Sequence, residues 1–156
     1  MKITFLGTGT STGIPEIGCK CAVCTSSDYR DKRLRSSVYI EWRGKHILID
    51  CGPDFRQQML RAGIDEIDAL LITHEHYDHT GGMDDLRPFC RNHPVNTYLE
   101  KRVALSVEER FPYCFSGIKY AGIPDIRLLE IDTEPFFPEG LKITPIRVMH
   151  YKLPIL

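Results

Sequence analysis

Residues 70–82 read Leu-Leu-Ile-Thr-His-Glu-His-Tyr-Asp-His-Thr-Gly-Gly, and the alternation of residue types in this run decides how the chain is read. With Asp68 and Ala69 before it, the apolar part up to Thr73 has the length and character of a buried strand in a covered sheet. Past Thr73 an extended chain would carry His74, His76 and Asp78 on one side, because residues two apart share a side. His79 then projects the other way unless the backbone turns, and Gly81-Gly82 supply residues suited to a tight turn. Two imidazoles on one side can hold one divalent ion, while Asp78 and His79 can reach a second. Three of the six histidines fall in this run, which argues against an ordinary polar loop. Glu75 and Tyr77 occupy the intervening positions and are expected to face away from the first ion.

Outward from that run, 156 residues suit a single domain, 1–156, with one core. The composition is that of a soluble globular protein, 42% hydrophobic and 26% charged. A net charge of −1 leaves no footprint for non-specific attraction to nucleic acid or membrane. No apolar stretch is long enough to span a bilayer, and the N-terminus reads as a strand rather than a signal peptide. A cytoplasmic location is therefore expected, where six cysteines serve as metal ligands or buried thiols rather than disulfides.

Upstream, residues 2–6 form a first strand, followed by the small-residue loop Gly7 to Gly13, which either approaches a ligand or is a plain turn. Cys19, Cys21 and Cys24 are spaced to hold one structural zinc, with a fourth ligand unidentified in the loop. Arg33 and Arg35 lie in a mixed-charge segment read as solvated. Residues 37–42 and 46–51 form a hairpin through Arg43-Gly44-Lys45, with His46 as a solvated turn residue. Asp50, at the end of the second strand, is a candidate for orienting a metal-bound histidine through its other ring nitrogen, or a simple turn residue. A helix follows, with Asp54 as N-cap, Gln57 completing a capping box, Gly63 as the stop, and Phe55, Met59 and Ala62 packing on the sheet.

Downstream, Met83 starts a further helix limited by Pro88, and Arg87 is either a contact for an anionic substrate or a surface residue. A strand over 95–99 and a helix over 100–111 come next, then an aromatic and glycine-rich loop over 113–122 that could cover the site. Strands are expected at 126–131 and 141–148, the second carrying His150 at its end as third ligand to the ion on His74 and His76.

The HxHxDH pattern of His74 to His79, the glycine pair behind it and the isolated His150 resemble the metallo-β-lactamase fold superfamily. The opening Phe5 to Gly9, the cysteine triplet and Asp50-Cys51-Gly52 look most like its phosphoribosyl cyclic phosphate phosphodiesterases of phosphonate breakdown, relatives of tRNase Z. The resemblance implies an α/β fold, an αββα sandwich that is incomplete at the C-terminus. It implies two active-site ions, zinc or manganese, the first on His74, His76 and His150 and the second on Asp78 and His79, with a structural zinc on Cys19, Cys21 and Cys24. It also implies a metal-dependent hydrolase of a small cyclic or nucleotide-like phosphodiester, with Asp78 orienting the nucleophile. Members of that group are longer and carry an acid bridging both metals, further histidines and the fourth zinc ligand. This chain is thus expected to be a fragment or to be completed by partner chains, as in a homo-oligomer, and not fully active alone. The other readings are thioester hydrolysis of the glyoxalase II type and a non-catalytic metal-binding module.

Overall fold

The computed structural model describes residues 1–117 and 122–156. Its centre is a six-stranded sheet in the order β1 (Lys2–Gly7), β2 (Ser37–Trp42), β3 (Lys45–Ile49), β4 (Ala69–Leu71), β5 (Val95–Leu99) and β6 (Ile126–Glu130). The first three strands run antiparallel and β3 to β6 run parallel. The β2–β3 hairpin closes through Arg43 and Gly44, both at positive φ, which matches the right-handed twist of the flanking strands.

Parallel neighbours need crossovers, and the first is α1 (Phe55–Ala62). The second holds the one-turn helix α2 (Tyr77–Thr80) and a 3-10 segment, Met83–Cys90, in place of the expected α-helix. The third is α3 (Lys101–Arg110) followed by α4 (Pro112–Phe115). Phe55, Met59, Val103 and Val107 pack with Leu48, Leu70, Val95 and Leu99 into one core on the helical face. The opposite face is apolar too: Ile47, Ala69 and Leu71 meet Phe136, Leu141 and Ile143.

Four expectations need correcting. Asp54 sits at the N-cap of α1 but makes no cap; its carboxylate instead binds the Arg35 backbone N–H and guanidinium, each at 2.8 Å. Ala62 is exposed, and the third buried position on that helix, beside Phe55 and Met59, is Gln58, whose amide donates to the Arg35 carbonyl. The strand expected at 141–148 reduces to one bridge between Phe136 and Ile143, because Pro145 lacks the N–H a continuing ladder needs. Its end survives as β7 (Val148–His150), which pairs with β8 (Leu153–Ile155) in a separate ribbon. The loop expected at 113–122 begins instead with α4, and its residues 118–121 lie outside those described.

Candidate metal centre

Because β3 and β4 are parallel and in register, Asp50 and Thr73 leave the same sheet edge side by side, beyond the carboxyl ends of the strands where ligand sites of parallel sheets form. The Asp50 N–H donates to the Leu71 carbonyl at 2.8 Å, and the Thr73 N–H donates to Asp50 Oδ1 at 2.9 Å. Asp50 is 5% exposed and adopts φ 60°, a left-handed conformation that Asp tolerates better than most residues.

The hydrogen-bond geometry fixes where the histidine protons sit. The Thr73 hydroxyl lies 3.0 Å from both Asp50 oxygens and 3.0 Å from His74 Nδ1. A carboxylate only accepts, so the one hydroxyl hydrogen goes to Asp50, and His74 Nδ1 must donate to the threonine oxygen. His74 Nε2 then carries a lone pair, and this buried atom has no hydrogen-bond partner among the described residues. Burial, followed by the charge of His79, pushes the His74 pKa down to about 4, so the ring is neutral at pH 7. His79 Nδ1 donates to Asp50 Oδ2 at 2.7 Å, and its Nε2 faces Asp78 Oδ2 at 3.2 Å. Burial lowers the His79 pKa, but the Asp50 hydrogen bond and the charges of Asp50 and Asp78 outweigh it and leave it raised. Asp50 thus holds the Nδ1 proton of both rings, of His79 directly and of His74 through Thr73.

His74, His76 and His150 bring one ligand-capable nitrogen each within 4.8 Å of one another. Their rings surround one point, with His74 centroids 4.7 Å from His76, 5.4 Å from His150 and 4.1 Å from His79. His74 and His76 are placed by the expected extended alternation. Asp78 and His79 are not: the chain stops being extended at His76 and turns into α2, with the His79 N–H donating to the His76 carbonyl at 3.0 Å. That turn is what brings His79 to the same side as His74. His150 does not end a buried strand, since every residue of β7 is exposed.

Gly81 and Gly82 have ordinary helical and bridge-region dihedrals, so unusual backbone conformation is not their purpose. A Cβ on Gly82 would sit 2.1 Å from the Gly52 carbonyl oxygen, and a Cβ on Gly52 would sit 2.0 Å from that of Asp78. Close backbone approach between the Asp50 loop and the histidine loop demands these glycines.

Cys19, Cys21 and Cys24 also converge, with sulfurs within 4.8 Å of one another. The Cys24 backbone N–H, reinforced by the Cys19 side chain, lowers the Cys21 pKa to about 7. The Glu16 N–H lowers that of Cys24, but desolvation and the neighbouring sulfurs outweigh it and raise it. Other candidates are engaged elsewhere. Arg87 pairs with Asp84, and Arg35 with Asp54 and the Ser11 carbonyl. In the Gly7 to Gly13 loop the Gly9 N–H donates to the Leu34 carbonyl, and Ile14 just after it pairs with Arg33. His46 is not a solvated turn residue: it lies in β3, stacks on Tyr39 and faces Glu66 and Asp68 at 3.1 and 3.2 Å. No described helix is long and apolar enough to cross a membrane.

The profile of the beta-lactamase superfamily domain matches residues 45–154. An octanoyltransferase from Porphyromonas gingivalis is 51% identical over the full chain, which aligns with 32% of that protein. A ribonuclease Z from Archaeoglobus fulgidus is 29% identical over 96% of this chain and 44% of its own. The crystal structure of a diphosphatase from the PhnP family superposes with a TM-score of 0.89 at 41% identity, covering 98% of this chain and 59% of that one. The chain therefore spans less than two thirds of each of these relatives.

Proposed function

Since the chain belongs to the beta-lactamase superfamily, we propose that it is a metal-dependent hydrolase of phosphoryl bonds whose first ion is held by His74, His76 and His150. One observation carries this reading: the buried Nε2 of His74 has no hydrogen-bond partner among the described residues, its lone pair left free by the Thr73–Asp50 relay in a ring packed against the other two imidazoles. The donor set suits zinc, and manganese also accepts imidazole with carboxylate. A bound divalent ion would supply Lewis-acid charge for the developing phosphoryl charge and lower the pKa of water.

The chain's own groups do the rest. Asp50 keeps His74 and His79 in the tautomer that presents Nε2. Asp78, part-buried beside His79, is placed to accept a hydrogen bond from the attacking water and orient it. Asp78 and His79 offer a second ion two donors, which leaves positions that water or substrate would fill. The likeness to the PhnP-family diphosphatase and to ribonuclease Z supports phosphoryl substrates and makes diphosphates a class to test beside cyclic and linear phosphodiesters. The octanoyltransferase match leaves about two thirds of that protein without a counterpart in this chain.

The assay is hydrolysis of a cyclic phosphodiester, a linear phosphodiester and a diphosphate by protein loaded with zinc or manganese. Turnover of one or more, abolished in His74→Ala, is the expected result; metal binding with no turnover of any sinks the assignment. The cysteine triplet is read as a separate structural zinc site in a cytoplasmic protein. Cys24→Ser is expected to lower total bound zinc by one ion per chain by elemental analysis and to leave the histidine-bound ion in place.

A further inference from the structure

His150 reaches the cluster on a ribbon that has little else to hold it. Strands β7 and β8 pair with each other and with no other described strand, and Val148, Met149 and Tyr151 are 50%, 63% and 87% exposed. Burial of β7 therefore contributes little to where the ribbon sits, and β8 is only half-buried. Polar links do more: the Leu156 N–H to the Thr73 carbonyl at 3.4 Å, Arg147 to Glu100 and Asp132 at 2.6 and 2.9 Å, and Arg102.

We propose that Arg102 is a positioning residue of the metal centre, setting the distance between the ribbon that carries His150 and the loop that carries His74 and His76. Arg102 enters from the first turn of α3. One nitrogen, Nη1, pairs with the Glu75 carboxylate, and the other, Nη2, donates to the Pro154 carbonyl at 2.8 Å. Glu75 lies between His74 and His76 in the chain, and Pro154 stands opposite Met149, next to His150, in the ribbon register. A guanidinium is planar, with donors at fixed separation, so one rigid group spans the two ligand-bearing segments. The alternation that points Glu75 away from the ion is what gives Arg102 its purchase on the loop. Lysine, a single point charge on a flexible stem, keeps at most one of the two interactions.

This assignment rests on the proposal that the three histidines hold an ion, and its test separates the two. Zinc affinity is measured by chelator competition in wild type, Arg102→Lys, Arg102→Ala, His150→Ala and the Arg102→Ala/His150→Ala double variant, each checked for an intact melting transition. Arg102 is more than a third exposed on its side chain, and Glu75→Gln provides a second variant that weakens the same strap from the other end. Both Arg102 substitutions are expected to weaken zinc binding by about 10–100-fold, the range for residues that orient ligands. In the His150→Ala background Arg102→Ala is expected to change nothing further, because its effect runs through His150. An equal weakening in that background, or wild-type affinity in Arg102→Ala, overturns the proposal. In metal-free protein, nuclear Overhauser cross-peaks between the His150 ring and the His74 and His76 rings are expected in wild type and not in Arg102→Ala. Their persistence in the variant overturns the role of Arg102 whether or not zinc binds. A wild type that shows these cross-peaks but binds no zinc at the histidines, while Arg102→Ala shows no cross-peaks, supports the positioning role and overturns the metal reading instead.

Discussion

Asp50→Asn is expected to weaken the ion at Asp78 and His79 by about 10–100-fold and to spare the one at His74, His76 and His150. Asparagine tolerates the left-handed conformation at φ 60°, so the backbone stays where it is. Its amide oxygen can still accept from the Thr73 N–H and hydroxyl, which keeps His74 Nδ1 as donor and Nε2 free. The amide nitrogen cannot accept from His79 Nδ1–H, so His79 changes tautomer and presents a proton where it presented a lone pair. Asp50→Ala removes both relays and leaves the Thr73 N–H without its acceptor. It is expected to weaken both ions and to cost about 1–3 kcal/mol of stability for each buried donor left unpaired. Metal titration followed by denaturant unfolding reads both effects. Equal affinities for Asp50→Asn and wild type at the second ion would show that Asp50 does not set the His79 tautomer.

Gly82→Ala and Gly52→Ala are each expected to destabilise the fold by about 3 kcal/mol or more, at the upper end of overpacking costs. The added methyl meets a backbone carbonyl at 2.1 Å in one case and 2.0 Å in the other, and the Gly52 carbonyl is held by the Phe55 N–H at 3.0 Å. The Gly52 and Cys51 peptides are also bonded across this junction: the Cys51 N–H donates to the His79 carbonyl and the Gly82 N–H to the Cys51 carbonyl, both at 2.8 Å. Separating the loops breaks these bonds and moves Asp50 away from His79, so metal affinity falls with stability. Gly63→Ala is the control. Gly63 has φ 64° but open space around its Cβ, and its replacement is expected to cost about 1 kcal/mol from backbone conformation alone. Urea midpoints that fall no further for Gly82→Ala than for Gly63→Ala would contradict the close-approach account.

Local rules make part of this centre legible in the sequence. Alternation along an extended strand places His74 and His76, glycine and hydrophobic spacing bound α1, and the turn chemistry of Arg43-Gly44 sets the β2–β3 hairpin. The rest is set by packing between distant segments. Asp78 and His79 reach the site because a helical turn begins at His76; Gly81-Gly82 signal a turn locally, and the packing of Gly82 on Gly52 stabilises the one that forms. Asp50 is a sequence candidate for orienting one histidine, but its second role depends on Thr73 standing beside it in the parallel register of β3 and β4. Asp54 has a capping sequence, and Arg35, nineteen residues away, takes its carboxylate. His46 has the local surroundings of a turn residue because its partners, Tyr39, Glu66 and Asp68, come from other strands and loops. The ribbon carrying His150 reads as a buried strand because hydrophobic spacing does not register Pro145 as a break in pairing.

Diffraction from zinc-soaked crystals, measured on both sides of the zinc absorption edge, tests the central claim most directly. An anomalous peak is expected about 2.0–2.1 Å from one ring nitrogen each of His74, His76 and His150. A zinc bound only among Cys19, Cys21 and Cys24, with nothing between the three histidines, would contradict it.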